Sequence, residues 1–124
     1  MNLNQLTVPV TNIAKSIEFY EQLGLRLIVK DTHYARFECP EGEATFSIHY
    51  AEKPLNNEGI WVYFEVADVD DKISELIRKD FIIEELPNDK PWLWREARLK
   101  DLDNTQIIVY HAGHNRKNPP WRVS

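Results

Sequence analysis

The sequence predicts an α+β fold: two tandem βαβββ modules whose strands make a curved, barrel-like mixed sheet around a concave cavity, with the helices outside. Three observations carry the prediction. Leu6, Val8 and Val10, and again Val62, Phe64 and Val66, are apolar at every second position, the period of a strand with one buried face. Each run leads into a helix start, at Asn12-Ile13 and at Asp68-Val69, and the second set follows the first at a constant offset of 56 residues. In both halves three more strand-like segments follow the helix.

The first module, residues 1–50, opens with a strand over 5–10. Asn12 is placed to cap a helix whose buried stripe is Ile13, Ile17, Tyr20 and Leu23, and Gly24 ends it. Strands follow over 25–30, 33–39 and 44–50, the last two joined by the Pro40-Glu41-Gly42 turn. Residues 51–59, AEKPLNNEG, read as a linker. The second module, 60–112, repeats the order. Its helix over 69–79 carries Val69, Ile73, Leu76 and Ile77, and its later strands fall at 81–85, 94–100 and 105–111. Asp101-Leu102-Asp103-Asn104 is the turn before the last strand. The tail, 113–124, is proline-rich and aperiodic and reads as extended; its Pro-Pro-Trp-Arg end suits docking in a groove.

A length of 124 residues fits one compact domain, or two small halves sharing a core. The net charge of −5 is spread along the chain and argues against nucleic acid, where a basic face is needed. Cys39 is the one cysteine, so no internal disulfide forms and a cytoplasmic location is expected. Glu38 and Glu41 beside it would raise its thiol pKa, against a nucleophilic role. No leader pattern opens the chain and no apolar run reaches membrane length, so no membrane partner is expected.

Alternation also predicts what lines the hollow. In the first half Tyr34, Arg36 and His49 point there, with Gln5, Glu38 and Ser47. In the second half Trp61, Tyr63 and Glu65 do so, joined by Trp94, Glu96, Arg98 and Tyr110, with Trp92 nearby. Aromatic bodies beside polar tips suit a ligand wall. The competing reading is that the rings merely fill the hollow, yet filler does not explain Glu65, Glu96 and Arg98 on the same face. Arg36 with Glu38, and Arg98 with Glu96, are candidate salt bridges. Ser47 and His49 are i and i+2 on a strand, about 7 Å apart, too far for a nucleophile and its base. Glu65 and Glu96 are the only candidate general bases, and only if burial raises their pKa.

Three pieces, VPVTNIAKSIEFYEQLGLRL, VYFEVADVDDKISEL and REARLKDLDNTQIIVYH, resemble the vicinal oxygen chelate superfamily of glyoxalase I, extradiol dioxygenases, fosfomycin-resistance enzymes and bleomycin-resistance proteins. The resemblance spans about residues 5–112, with the family's Asp-Pro-Asp-Gly turn reading Asp-Leu-Asp-Asn here. By register, the family's metal-ligand positions fall on Gln5, Ser47, Trp61 and Ile108. Of these only Gln5 suits the pattern, since an indole and an aliphatic side chain have no lone pair for a divalent ion. The resemblance therefore implies no cofactor; the lesser alternative is a divalent metal displaced toward His49 with Gln5, Glu65 and Glu96.

The non-metal, bleomycin-resistance-like branch resembles this chain at Pro91-Trp92-Leu93-Trp94-Arg95-Glu96, a segment that Leu93 and Trp94 expand. Proteins of that branch confer antibiotic resistance by binding a planar, cationic drug between aromatic side chains at a dimer interface, without catalysis. The implied function is metal-independent binding of a planar small molecule, cationic or neutral, in an aromatic-lined cavity. The alternative is a metal-dependent lyase, isomerase or dioxygenase with an altered metal site; a third is a dimerising domain with a filled hollow. A homodimer is implied by the resemblance. It is also suggested by edge strands at 25–30 and 81–85 that carry no proline to blunt them, and by the Trp-Arg tail.

Overall fold

The computed structural model describes residues 1–123. Its elements are β1 (Gln5–Val10), α1 (Ile13–Leu23), β2 (Arg26–Lys30), β3 (Tyr34–Glu38), β4 (Thr45–Tyr50), β5 (Trp61–Glu65), α2 (Val69–Arg78), β6 (Glu85–Asp89), β7 (Arg95–Lys100), β8 (Gln106–His111) and α3 (His114–Lys117). The βαβββ order occurs twice. The strands form two four-stranded mixed sheets, β1-β4-β3-β2 and β5-β8-β7-β6. Among the described residues no ladder joins them, so the single barrel-like sheet expected from the sequence resolves into two sheets that are not closed.

The chain divides into two compact units. The first comprises Met1–Glu58 with Asp101–Thr105, the second Gly59–Lys100 with Gln106–Ser124. In the first, β1 runs parallel to β4, and β4, β3 and β2 follow antiparallel. Asn12 caps α1, its side chain accepting from the Lys15 amide, and Gly24 closes the helix at φ 125°, a conformation that L side chains resist. Ile13, Ile17, Tyr20 and Leu23 are buried, as are Val8, Val10, Phe37, Phe46 and Ile48, and the Tyr20 ring meets those of Phe37 and Phe46. This is the split that alternation predicts.

The Asp101–Thr105 turn is held within the first unit by buried polar groups. Asp101 Oδ1 accepts from the amides of Asp103 and Thr105, both at 2.9 Å, and its Oδ2 accepts from the Tyr20 hydroxyl at 2.5 Å. Thr11 donates its hydroxyl to Asp103 at 2.8 Å. Asn57 donates to the Pro9 carbonyl and to Thr105 Oγ1, each at 3.0 Å. Asn57 is buried, so the segment read as a plain linker supplies a structural side chain. Asn104 sits at φ 68°, where the related turn pattern has Gly; Asn is among the few other residues that tolerate that region.

In the second unit, β5 runs parallel to β8, and β8, β7 and β6 follow antiparallel. Asp68 caps α2 by accepting from the Asp71 amide. Val69, Ile73 and Leu76 are buried with Val62, Leu99, Ile107 and Val109; Ile77, expected in the stripe, is half-exposed.

Two elements depart from expectation. The strand placed at 81–85 lies instead at Glu85–Asp89. After α2, Asp80 turns at φ 68° and the Phe81 amide bonds back to Leu76, which holds the next residues out of the sheet. Pairing with β7 starts at Glu85 opposite Arg98 and bulges before Asn88. Pro87 and Asn88 look like turn residues in sequence, but a proline is tolerated on an edge strand. This edge therefore does carry a proline, and the edge argument for a dimer loses that half. The tail is not simply extended either: His114–Lys117 form a helical turn, with the Asn118 amide bonding to the His114 carbonyl. No helix among the described residues is long and apolar enough to cross a membrane.

Candidate functional site

The register of the second sheet aligns the predicted wall. Trp61 is opposite Gln106, Tyr63 opposite Ile108, and Glu65 opposite Tyr110. On the other flank of β8, Glu96 is opposite Tyr110 and Arg98 opposite Ile108. These side chains share the sheet face away from α2. Across that face runs a groove of about 460 Å³, walled by Trp61, Tyr63, Trp92, Trp94, Glu96 and Arg98 on one side. The C-terminal segment closes the other side with Asn115, Arg116, Pro119 and Trp121.

The floor is packed aromatic. Trp94 stacks on Tyr110 with ring centroids 4.8 Å apart, and Tyr63 meets both rings edge-on at 6.0 and 5.5 Å. Trp94 rests against the buried cluster of Ile108, Tyr110 and Ala112, and its Nε1 donates to the Asn115 carbonyl at 3.4 Å. The upper wall is different: Trp61 is 53% exposed, Tyr63 42%, Trp92 39% and Trp121 57%.

Trp92 is presented by the β6–β7 hairpin. The Leu93 amide bonds to the Lys90 carbonyl and the Lys90 amide to the Trp94 carbonyl, a tight loop over Pro91, Trp92 and Leu93. Leu93 takes φ 68° where such loops favour Gly, at a cost of about 1 kcal/mol. The ring is then fixed by its Nε1, which donates to Glu96 Oε1 at 2.8 Å.

Glu96 is almost completely buried, receiving Trp92 on one oxygen and Arg98 Nη2 on the other at 3.4 Å. Arg98 lies over the Trp61 ring with its Cζ 5.0 Å from the centroid. Its Nε makes no hydrogen bond; Glu85 Oε2 stands 3.7 Å away, an ion pair without hydrogen-bond distance. Glu85 is held by Lys90 and Asn88, whose donors keep its carboxyl below the usual range.

Glu65 is engaged by the backbone at the start of the tail. Burial alone would raise its carboxyl, but the amides of Gly113 and Ala112, at 2.8 and 2.7 Å, outweigh it and hold the pKa low. A carboxylate so stabilised is a poor general base at neutral pH. It braces the tail where it leaves β8. The predicted Arg98–Glu96 pair forms, whereas Arg36 does not pair with Glu38: Glu38 bonds Arg26 at 2.9 Å, its register partner across the β2–β3 ladder.

Tyr34, Arg36 and His49 lie in the first unit. The Tyr34 hydroxyl bonds Ser47 Oγ at 2.7 Å and receives Arg36 Nε at 3.0 Å, with the Arg36 guanidinium over its ring. His49 is exposed, with Nδ1 2.9 Å from the Tyr50 carbonyl. Ser47 is buried, and Gln5 Oε1 accepts from Thr45. In the second unit Trp61 and the buried Ile108 occupy the other two family metal-ligand positions. This donor set does not fit a divalent ion. Among the described residues no three His, Cys, Asp or Glu side chains are grouped to hold one. Cys39 has its thiol pushed up by burial, not by the neighbouring glutamates the sequence suggested.

Asn115 and Arg116 were not legible as groove residues. They reach it on the helical turn that replaces the expected extended tail.

The comparisons bear on fold and family. A search of curated proteins finds no match. Among solved structures, a glyoxalase/bleomycin resistance protein/dioxygenase from Nocardioides superposes with TM-score 0.78 at 17% identity, over 100% of this chain and 90% of that one. The bleomycin resistance determinant encoded on transposon Tn5 gives 0.74 at 16% identity, over 90% and 98%. A bleomycin-binding protein complexed with bleomycin gives 0.74 at 15%, over 90% and 98%. At these identities the likeness is one of fold. The sequence profile of the Glyoxalase/Bleomycin resistance protein/Dioxygenase superfamily matches residues 2–109, nearly the whole chain, and the protein belongs to that superfamily.

Proposed function

We propose that this chain is a metal-independent small-molecule-binding protein that takes a planar ligand into the aromatic groove of its second unit. The observation that carries the reading is four part-exposed rings, Trp61, Tyr63, Trp92 and Trp121, around one groove. Rings that only filled space would be packed away as Tyr110 is. The volume falls within the range of about 300–1,000 Å³ common for small-molecule sites and suits two or three fused rings. Each ring that stacks on a ligand contributes about 0.5–1.5 kcal/mol beyond the area it buries. Superfamily membership supports small-molecule binding in general. The expectation of a cationic ligand came from the resemblance to the bleomycin-resistance-like branch; the two acids on this sheet face, Glu65 and Glu96, already have partners. Metal independence is supported by the indole and aliphatic side chains at two of the four family ligand positions.

A thermal-shift screen of planar aromatics tests the reading, because a ligand bound only by the folded state raises the melting temperature. Trp61→Ala, Trp92→Ala and Trp121→Ala should each weaken any confirmed ligand several-fold. A ligand whose affinity none of the three changes has its site elsewhere and overturns the assignment. Elemental analysis of chelator-free protein tests metal independence; a stoichiometric transition metal coordinated from these residues refutes it.

A further inference from the structure

We infer that the groove selects planar ligands bearing an acidic group, a carboxylate or its equivalent, which Arg98 and Arg116 receive while the ring lies against the tryptophans. The inference rests on the proposed groove and names the charge of its occupant. Four lining residues are aromatic indoles and one a phenol; the charged ones are Glu96, Arg98 and Arg116. Glu96 lines the groove but is only 1% exposed, and each oxygen already has a donor. The two guanidinium groups remain on the ligand side.

Their hydrogen bonding leaves room for an acid. A guanidinium has five N–H donors in a fork that matches a carboxylate. Arg95, three residues before Arg98, engages all three guanidinium nitrogens, with Nε and Nη2 on Asp70 at 2.7 and 2.9 Å and Nη1 on Asp89. The Arg98 side chain makes one hydrogen bond among the described residues, the 3.4 Å contact to Glu96; its buried Nε makes none and only pairs with Glu85 Oε2 at 3.7 Å, beyond hydrogen-bond distance. Arg116 is exposed on α3 and makes no side-chain hydrogen bond or ion pair among the described residues, although its charge bears on Glu65. The Arg98 guanidinium is also tethered over the Trp61 ring, so its position is fixed before a ligand arrives. A planar acid would meet both elements at once, its ring along the exposed indoles and its carboxylate at the forks. The net charge of −5 is spread along the chain, and salt screens its distant members beyond about 10 Å at 0.1 M, so the groups around the groove set the preference.

Calorimetric titration of the full chain with 2-naphthoate, 2-naphthamide and 2-naphthylmethylammonium tests this, because the three share a ring and differ in charge. Naphthoate should bind at least tenfold more tightly than the amide, and the ammonium most weakly. Arg116→Gln and Arg98→Gln should each cut naphthoate affinity several-fold. Arg116→Gln should weaken naphthoate more than it weakens naphthamide, which carries no charge for the guanidinium to meet. Equal or tighter binding of the amide or ammonium overturns the acid preference while leaving the planar-ligand reading in place. Naphthoate binding that is indifferent to Arg116→Gln and Arg98→Gln also overturns it. Failure of all three probes to bind refutes the planar-ligand reading and the inference with it.

Discussion

Removing one hydroxyl, by Tyr20→Phe, should cost about 2 kcal/mol of stability, and the cost should shrink at alkaline pH. Tyr20 is fully buried and donates to Asp101 Oδ2 at 2.5 Å; Asp101 is itself 6% exposed. A hydrogen bond to a charged acceptor contributes about 1.5–3 kcal/mol, and phenylalanine fills the ring's space while leaving that oxygen without its donor. The pH dependence has a definite sign. Burial, then the Asp101 carboxylate, push the Tyr20 hydroxyl well above its usual value. A group whose pKa is raised on folding contributes fully below its unfolded value, about 10, and loses that contribution as pH climbs toward the folded one. At pH 11 the unfolded phenol is mostly ionised, which removes about 1.4 kcal/mol from the wild type but nothing at this position from the phenylalanine variant. Urea denaturation of both chains at pH 8 and pH 11 measures the two differences, with the other tyrosines common to both. A loss below about 0.5 kcal/mol at pH 8, or a difference that does not narrow by pH 11, refutes the account. An Asp101→Ala background supplies the control: there Tyr20→Phe should cost little, because the two groups act as one unit.

Trp94→Ala should destabilise the fold by about 2–3 kcal/mol, because it removes the ring stacked on Tyr110. Trp121→Ala, on an exposed ring, should stay within about 0.5 kcal/mol. Chemical denaturation of the two variants separates floor from wall, and equal losses contradict that division. Glu65→Gln should speed hydrogen exchange at the Ala112 and Gly113 amides several-fold at pH 6. Because the Glu65 pKa is depressed, its contribution is present above about pH 4.3 and is lost as pH falls through the lower folded value. The ratio of variant to wild-type exchange should therefore approach one in acid, and a ratio that stays constant contradicts the brace. A homodimer remains the assembly implied by the family resemblance; sedimentation at micromolar concentration tests it, and a monomer refutes it.

What the sequence made legible follows from the two periods of regular structure. Period 2 assigned Val8, Val10, Val62, Ile107 and Val109 to the helix-facing side, and Trp61, Tyr63, Glu96 and Arg98 to the other, because one face of each strand is buried and a slip would invert it. The caps at Asn12 and Asp68 were legible because a short polar side chain before an apolar stripe has few other uses. β6 was missed because Pro87 and Asn88 carry the chemistry of a turn, and only pairing with β7 makes them an edge strand. Asn57 was missed for a similar reason. A polar residue among turn formers looks solvated until its two side-chain bonds are known.

Faces were legible and partners were not, and that difference decides the chemistry. Glu65 and Glu96 share a sheet face and a residue type, so alternation treats them alike. One is held ionised by two backbone amides at the start of the tail. The other lies buried between an indole N–H and a guanidinium. Neither arrangement leaves a carboxylate without a donor, and the second ties the guanidinium to the acid at the groove wall. Which way a three- or four-torsion side chain turns is settled by its neighbours in space, not by its place along a strand. The inferred preference for an acid therefore rests on the Trp92–Glu96–Arg98 chain of contacts, and Trp92→Phe probes it directly. Loss of the indole N–H should loosen Arg98 over Trp61 and weaken 2-naphthoate more than 2-naphthamide. Equal weakening of the two would place Trp92 in the wall alone, with no part in positioning the charge.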